Sequence, residues 1–130
     1  MKESIFTKII KGEIPCHKVY EDDRVIAFLD IHPVNIGHVL VVPKQQIDHL
    51  HTLSEADYLY LFKVVYKVSN QITNRLSPVR VGIVVDGYGV PHAHIHVIPT
   101  YKPGDIPNNQ DMTSEPDHLA LAAMAQKLAF

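Results

Sequence analysis

Apolar residues recur at helical spacing near the start of the chain, where they predict a short helix over Ser4–Lys11. Gly12 and Pro15 end it, because glycine is common just after a helix and proline opposes its continuation. The side chains that would share one face are Ile5, Phe6, Ile9 and Ile10. This stripe has two interpretations, packing in the core or the wall of a ligand pocket.

Four segments rich in β-branched and aromatic residues predict strands. They are His17–Glu21, Arg24–Leu29, His38–Pro43 and Val79–Val85. The turn residues Asp22-Asp23 separate the first two segments, which are therefore predicted to form a β-hairpin. The third segment is apolar along its whole length, so we expect it near the centre of the sheet.

Ser54 is an N-cap signal for the longest helix, which is predicted to run to about Leu76 and to stop before Pro78. Two apolar stripes lie on adjacent faces of this helix. They are Leu61, Val65, Val68 and Ile72, and Leu59, Phe62 and Tyr66. One stripe is enough to dock a helix on a sheet. The second predicts a homodimer contact, with burial inside a single domain as the alternative.

A last helix is predicted over Leu119–Phe130, after a second N-cap signature at Ser114–Asp117, whereas residues 100–113 have no periodicity and are predicted as loop. The length of 130 residues favours a single domain over 1–130. The order is helix, hairpin, strand, long helix, strand, strand, helix. It predicts an α+β domain with one largely antiparallel sheet of about five strands.

The segment Pro91–Tyr101 carries a histidine at every second position, namely His92, His94 and His96. On a strand these three rings would share one face, since side chains alternate with a period of two. Three interpretations remain open: a polar strand face without chemistry, a transition-metal site, or a histidine nucleophile with two helpers. We favour the third, because no CxxC, HExxH or nearby carboxylate completes a metal set.

Composition narrows the class of protein. A formal net charge of −2 argues against broad binding to nucleic acid or to anionic membranes. The single cysteine, Cys16, cannot form an internal disulfide and fits a reducing cytoplasm. The first fifteen residues do not resemble a signal peptide, and no apolar run approaches the ~20 residues of a membrane span. We therefore expect a cytoplasmic protein.

Four motifs in order resemble the histidine triad (HIT) family, over roughly Ile5 to Tyr101. The first two are Ile5-Phe6-x-Lys8-Ile9-Ile10-x-Gly12-Glu13-Ile14-Pro15, and Val19-Tyr20-Glu21-Asp22-Asp23 followed by Ala27-Phe28-Leu29-Asp30-Ile31. The other two are Gly37-His38-x-Leu40-Val41-Val42-Pro43-Lys44 and His92-Ala93-His94-Ile95-His96-Val97-Ile98. The resemblance implies the HIT fold, purine nucleotide binding and chemistry at an α-phosphate.

The resemblance also implies roles for individual residues. His94 matches the nucleophile that takes up the nucleotidyl group, His92 and His96 match the pair that holds the phosphate and orients the rings, and His38 matches a fourth histidine. Asp30 matches the carboxylate that accepts from ribose hydroxyls. The apolar walls around the base match Ile5, Phe6, Ile9, Phe28 and Ile31. No cofactor or metal is implied.

The turn before the histidines departs from the family pattern. Asp86 stands near the family's asparagine, and Tyr88-Gly89-Val90-Pro91 replaces a segment that normally carries a hydroxyl group for the leaving group. We expect Asp86 and Gly89 to lie against the nucleotide, since glycine lets backbone approach a ligand closely. Ser4 and Thr7 stand where zinc-binding members carry CxxC, so a structural zinc is not expected.

The sequence therefore predicts a hydrolase or transferase for purine nucleoside phosphoramidates or similar nucleotidyl conjugates. The alternatives are a dinucleoside polyphosphate hydrolase, a nucleotide-binding protein with little turnover, and a metal-binding module.

Overall fold

The computed structural model describes residues 2–106 and 110–130, which form three α-helices, one 3-10 turn and a five-stranded sheet. In chain order the elements are α1 (Ile5–Ile10), β1 (Lys18–Glu21), β2 (Val25–Leu29), β3 (Val39–Pro43), the 3-10 turn (Leu50–Thr52), α2 (Glu55–Leu76), β4 (Arg80–Val84), β5 (Ile95–Thr100) and α3 (His118–Leu128). The strand order is β1-β2-β3-β5-β4 and every pairing is antiparallel. The predicted α+β class, the hairpin and the central position of β3 are confirmed.

The sheet has two faces because side chains alternate along each strand. We call the helix face the side that packs against α2 and α3, and the cleft face the opposite side. The helix face consists of Val25, Ala27, Leu29, Val39, Val41, Ile95 and Val97. The cleft face consists of Ile26, Phe28, Leu40, Val42 and His96, with His96 directly opposite Leu40 in the register.

Helix α2 covers the helix face and begins at the predicted residue. The Ser54 hydroxyl accepts from the Asp57 N–H at 3.1 Å, which satisfies one of the unpaired donors of the first turn. All four residues of the first predicted stripe are buried, together with Val64. In the second stripe Leu59 and Tyr66 are 60% and 71% exposed, while Phe62 is half-buried against the core. The homodimer contact on this face stays a prediction.

Helix α1 lies over the cleft face and has only six residues. A helix this short is not stable alone in water, so it depends on its contacts with the rest of the protein. Ser4 caps its first turn by accepting from the Thr7 N–H at 3.0 Å. Phe6 is buried against the Phe28 ring, with 5.5 Å between ring centroids. Gly12, at φ +80°, adopts the left-handed conformation that glycine tolerates and turns the chain away.

The prediction that all three histidines lie on one strand is wrong. Strand β5 begins at Ile95, so only His96 belongs to it, and the segment with His92 and His94 precedes it. The ladder with β3 stops at the pair Val41 and Ile95. Beyond it, the Ala93 N–H donates to the Ile47 carbonyl at 2.7 Å, past the end of β3. The chain therefore leaves the regular strand geometry before it reaches His94.

Pro99 lies inside β5 and pairs with Val81 of β4. Its carbonyl accepts from the Asn35 side chain at 3.0 Å, on the side away from β4. The N and C=O of one strand residue point to the same side, so the missing N–H also faces that side. The ladder to β3 has already ended there, at Val97, and no ladder hydrogen bond is lost.

No helix within residues 2–106 and 110–130 is long and apolar enough to cross a membrane.

Candidate active site

A cleft of about 360 Å³ opens between the cleft face of the sheet, α1, the turn before the histidines and the segment around residue 110. Ten of the twelve predicted site residues line it: Ile5, Phe6, Ile9, Phe28, Asp30, Ile31, Asp86, Gly89, His94 and His96. His92 and His38 do not line the cleft. Both are fully buried behind its wall.

The His94 ring is held by a backbone carbonyl. Its Nδ1 lies 2.7 Å from the His92 carbonyl oxygen. A carbonyl can only accept, so the proton sits on Nδ1 and the neutral ring keeps a lone pair on Nε2. The Phe6 ring meets the His94 ring edge-on at 5.0 Å between centroids. A fixed imidazole with a lone pair on the side away from its backbone partner can act as a nucleophile.

His92 is fixed through both of its ring nitrogens. Its Nε2–H donates to the Pro43 carbonyl at 2.8 Å, so Nδ1 of the neutral ring accepts from the Ser4 hydroxyl at 2.7 Å. Burial lowers the pKa of His92, which favours this neutral form. The Gln46 side-chain oxygen accepts from the Ser4 N–H at 3.0 Å and ties the start of α1 to the loop after β3. The residue whose carbonyl binds His94 is thus itself held at both ring nitrogens.

His38 and His96 are joined by a hydrogen bond whose direction can be assigned. The Val34 N–H donates to His38 Nδ1 at 3.1 Å, so the proton of the neutral His38 ring sits on Nε2. His38 Nε2 lies 2.9 Å from His96 Nδ1 and donates to it. The proton of the neutral His96 ring is then on its Nε2. The two histidines that line the cleft therefore differ at Nε2. His94 carries a lone pair on this nitrogen, and His96 carries a proton on it.

Burial keeps this pair neutral. Burial, with a smaller contribution from the neighbouring His96 ring, lowers the pKa of His38 to about 3. Burial and the His94 ring, opposed by Asp86, lower the pKa of His96 to about 4. Both rings are therefore uncharged near pH 7, as the described pattern of donors and acceptors requires.

Asp30 closes one end of the cleft. Its Oδ1 accepts from the His32 N–H at 2.8 Å, and its Oδ2 accepts from the Gln110 side-chain amide at 2.9 Å. Burial raises the pKa of Asp30, and these two hydrogen bonds oppose the rise because they favour the carboxylate. A buried carboxylate with spare lone pairs can accept from hydroxyl groups of a ligand.

The family follows from comparison with known proteins. A family model described as HIT domain matches residues 11–103, a stretch that includes His38, Asp30 and all three aligned histidines. The chain belongs to the HIT family.

Two HIT relatives and one solved structure illustrate the similarity. "Protein hit" of Bacillus subtilis is 40% identical over 106 residues, which cover 78% of this chain and 73% of that protein. "Adenosine 5'-monophosphoramidase hnt1" of Schizosaccharomyces pombe is 37% identical over 106 residues, which cover 78% and 75%. The crystal structure of a Hit-like protein from Bartonella henselae has a TM-score of 0.82 and 30% identity, and the match covers 97% of this chain and 94% of that one.

Several groups around the HIT site were missed by sequence reasoning. Ser4 was assigned to the start of a helix and to a CxxC position of zinc-binding members, but not to the site, and Gln46 lies 42 residues from it in a polar loop. Gln110 and Met112 line the cleft from the segment predicted only as loop. Sequence pattern has no signal for such contacts, because each depends on where distant loops meet.

Asp30, His38 and His96 place nitrogen and oxygen donors within 4.8 Å of one another, a cluster that could hold a transition metal. The same atoms already have partners in the neutral arrangement. His38 Nε2 donates to His96 Nδ1 at 2.9 Å, and Asp30 Oδ2 accepts from Gln110. These hydrogen bonds account for the cluster without assigning it a metal.

Proposed function

We propose that this HIT protein cleaves purine nucleoside phosphoramidates, or similar nucleotidyl conjugates, at the α-phosphate through a covalent nucleotidyl–His94 intermediate. Two facts support the proposal at the family level. The chain belongs to the HIT family, and a relative of similar length carries the name of an adenosine 5'-monophosphoramidase.

The observation that carries the proposal is the fixed tautomer of His94. Because Nδ1–H donates to the His92 carbonyl at 2.7 Å, Nε2 keeps its lone pair without needing a base to remove a proton. His94 Nε2 attacks the α-phosphorus in line, a phosphorus–nitrogen bond forms, and the bond to the amine breaks. The amine leaves with a proton from solvent. Water then attacks the same phosphorus, its proton goes to solvent, and His94 regains its lone pair.

The other histidines would support this chemistry in different ways. His96 carries its proton on Nε2 and lines the cleft beside His94, so it would donate to a non-bridging phosphate oxygen. His38 would fix that tautomer from behind. Both nitrogens of His92 already bind protein groups, so its proposed role is limited to positioning the His94 ring. That is narrower than the phosphate contact expected from the resemblance.

The nucleoside would occupy the apolar end of the cleft. Phe6 and Phe28 form buried aromatic walls there, and Ile5 and Ile31 are 50% and 42% exposed at its mouth. Such surfaces suit a planar base, and the exposed isoleucines would be covered by a bound ligand. Asp30 would accept from the ribose hydroxyls between the base and the phosphate.

A nucleotide-binding protein with little turnover is the second candidate. The turn that lines the cleft contributes the Asp86 carboxylate together with Gly87 and Gly89, and Tyr88 beside them is 92% exposed. A carboxylate in this position repels a phosphate and offers no proton to a leaving group. That arrangement would slow chemistry without preventing nucleotide binding.

Single-turnover incubation with an adenosine 5'-phosphoramidate tests the proposal. We expect AMP and a trappable adenylylated protein from the native chain, and neither from His94→Ala. His51→Ala is the matched control, because His51 is exposed on the 3-10 turn, and it should behave as the native chain. A dinucleoside polyphosphate run in parallel tests that alternative substrate. Equal product from the native chain and His94→Ala would overturn the nucleophile, and tight AMP binding without product would favour the second candidate.

A further inference from the structure

Gln110 reaches the cleft from a position 80 residues away from Asp30 and binds there through its amide nitrogen. Its Nε2 donates to Asp30 Oδ2 at 2.9 Å and to the His32 carbonyl at 2.9 Å. Both partners can only accept, so the orientation of the amide is fixed by chemistry. The two protons of Nε2 are used, which leaves Oε1 as the polar atom that Gln110 can offer to a ligand.

The result is a surface of acceptors at the Asp30 end of the cleft. Each carboxylate oxygen of Asp30 has one protein donor, the His32 N–H on Oδ1 and the Gln110 amide on Oδ2, and so keeps lone-pair capacity. Gln110 lines the same cleft and its Oε1 is a further acceptor. Asp30 and Gln110 meet here and both line the cleft, while His38 Nε2 lies 3.6 Å from Asp30 Oδ2 behind them. A ligand group that satisfies them must carry neighbouring donors.

We propose that Gln110 is a specificity-determining residue that, together with Asp30, selects a vicinal diol, the 2'- and 3'-hydroxyls of a ribose, over a deoxyribose. This inference rests on the proposed nucleotide function. A diol presents two adjacent O–H donors, one for the carboxylate and one for the Gln110 oxygen. A deoxyribose leaves one of these acceptors unpaired beneath the bound ligand, and a polar group left unpaired on binding weakens the affinity.

The hydrogen bond to Asp30 also depends on Gln110 being uncharged. The amide donates to the Asp30 carboxylate, and a carboxylate at position 110 could not donate unless it were protonated. Gln110→Glu would place two negative groups in hydrogen-bond contact in a partly buried site. The two variants therefore separate two effects, since Gln110→Ala removes the acceptor and the donor, while Gln110→Glu adds repulsion.

The test is calorimetric binding of AMP, 2'-deoxy-AMP and 3'-deoxy-AMP to the native chain and to both variants. We expect the native chain to bind AMP about tenfold more tightly than at least one deoxy analogue. In Gln110→Ala the affinity for AMP should fall about tenfold and the preference should shrink to within about twofold. Gln110→Glu should bind AMP more weakly still at neutral pH.

Gln71 offers a matched control. Its amide nitrogen likewise donates two hydrogen bonds, here to the backbone carbonyls of Leu128 and Ala129 at 3.2 and 3.0 Å, but it lies far from the cleft. Gln71→Ala should leave the preference for AMP over the deoxy analogues unchanged. An unchanged preference in Gln110→Ala would overturn the assignment of Gln110.

The binding readout separates this inference from the hydrolase proposal. Ribose preference that depends on Gln110, without cleavage of a phosphoramidate, supports Gln110 and contradicts the hydrolase. Cleavage with a preference that ignores Gln110 overturns the present inference alone. Failure of the native chain to bind AMP would overturn both.

Discussion

The helix face and the cleft face of the sheet are built from alternate residues of the same strands, yet they differ in chemistry. Val39 and Val41 point to a core under the 22-residue α2, whereas Leu40 and His96 point to a cleft under the six-residue α1. The buried side chains of the helix-face core are all apolar. The cleft side instead holds buried imidazoles and a buried carboxylate.

The difference shows how a protein of this size can bury polar side chains. Burying polar groups is unfavourable unless each is hydrogen-bonded. The apolar core on the helix face supplies the stability, and on the cleft face each of the four histidines has at least one hydrogen-bond partner. Substitutions on the helix face should therefore lower mainly stability, and substitutions on the cleft face should lower mainly catalytic rate.

The largest contrast is expected between His94→Ala and Leu61→Ala. Removal of the nucleophile should lower kcat at least about a thousandfold with little change in the urea midpoint. Leu61 is fully buried in the core under the helix face, so its truncation should lower the free energy of unfolding by about 2–5 kcal/mol. Below its unfolding transition that variant should keep near-native kcat. Comparable kinetic losses in both variants would abolish the distinction between the faces.

Ser4→Ala should affect both stability and rate, because Ser4 caps α1 and also donates to His92. The lost cap costs about 1 kcal/mol. We further expect kcat to fall about tenfold with a smaller change in KM, since the His92 carbonyl no longer holds His94 rigidly.

Ser54→Ala is the matched control, because it removes the cap of α2 without touching the cleft. It should cost similar stability and leave kcat unchanged, and Ser4→Thr should restore activity by restoring the hydroxyl. If Ser4→Ala and Ser54→Ala have the same kinetics, the positioning role of Ser4 is wrong.

The stability of the protein should depend on pH through its buried histidines. His38 and His96 have folded-state pKa values of about 3 and about 4, below the ordinary value of 6.5, so between about pH 4 and 6.5 the unfolded chain binds more protons. Stability should therefore fall as pH drops from 7 to 5, by about 1–2 kcal/mol for each ring. Asp30 acts in the opposite direction over a window above pH 3.8, because its pKa is raised.

Urea unfolding at pH 5 and pH 7 measures this dependence. His38→Asn should flatten it, whereas His49→Asn should not, because His49 is exposed. Identical pH dependence in His38→Asn and the native chain would show that the buried pair does not account for it.

The smallest effect on the fold is expected on the outer side of α2. Leu59 and Tyr66 are exposed, so Leu59→Ser should change the free energy of unfolding of a single chain by no more than about 0.5 kcal/mol. If this stripe forms the predicted homodimer contact, the same change should lower the molar mass measured by light scattering at micromolar concentration. A monomeric native chain would contradict the dimer prediction.

Much of the fold was predictable because periodicity reports burial directly. The stripe of Leu61, Val65, Val68 and Ile72 and the capping Ser54 fixed α2 almost to the residue. The strand containing the histidines was less predictable. Alternation continues through His92 and His94, but the ladder with β3 stops at Ile95, and ladder length depends on partners that one segment's pattern does not describe.

The cleft shows the same limit. The family motifs identified the residues that face the ligand space, such as His94 and Asp30. They gave no indication of Gln110, which lies in a loop without periodicity, or of the contact between Ser4 and His92, which joins residues 88 positions apart. These contacts depend on the assembled structure, because their side chains are polar and follow no apolar pattern.

The most direct test of the account is the stereochemistry at phosphorus. An adenosine 5'-phosphoramidate analogue made chiral at phosphorus with sulfur would be hydrolysed by the native chain in ¹⁸O-water, and the configuration of the product would be determined. Attack by His94 followed by attack by water gives two inversions, so the account predicts net retention. Net inversion would mean that water displaces the leaving group directly, and it would contradict a covalent intermediate on His94.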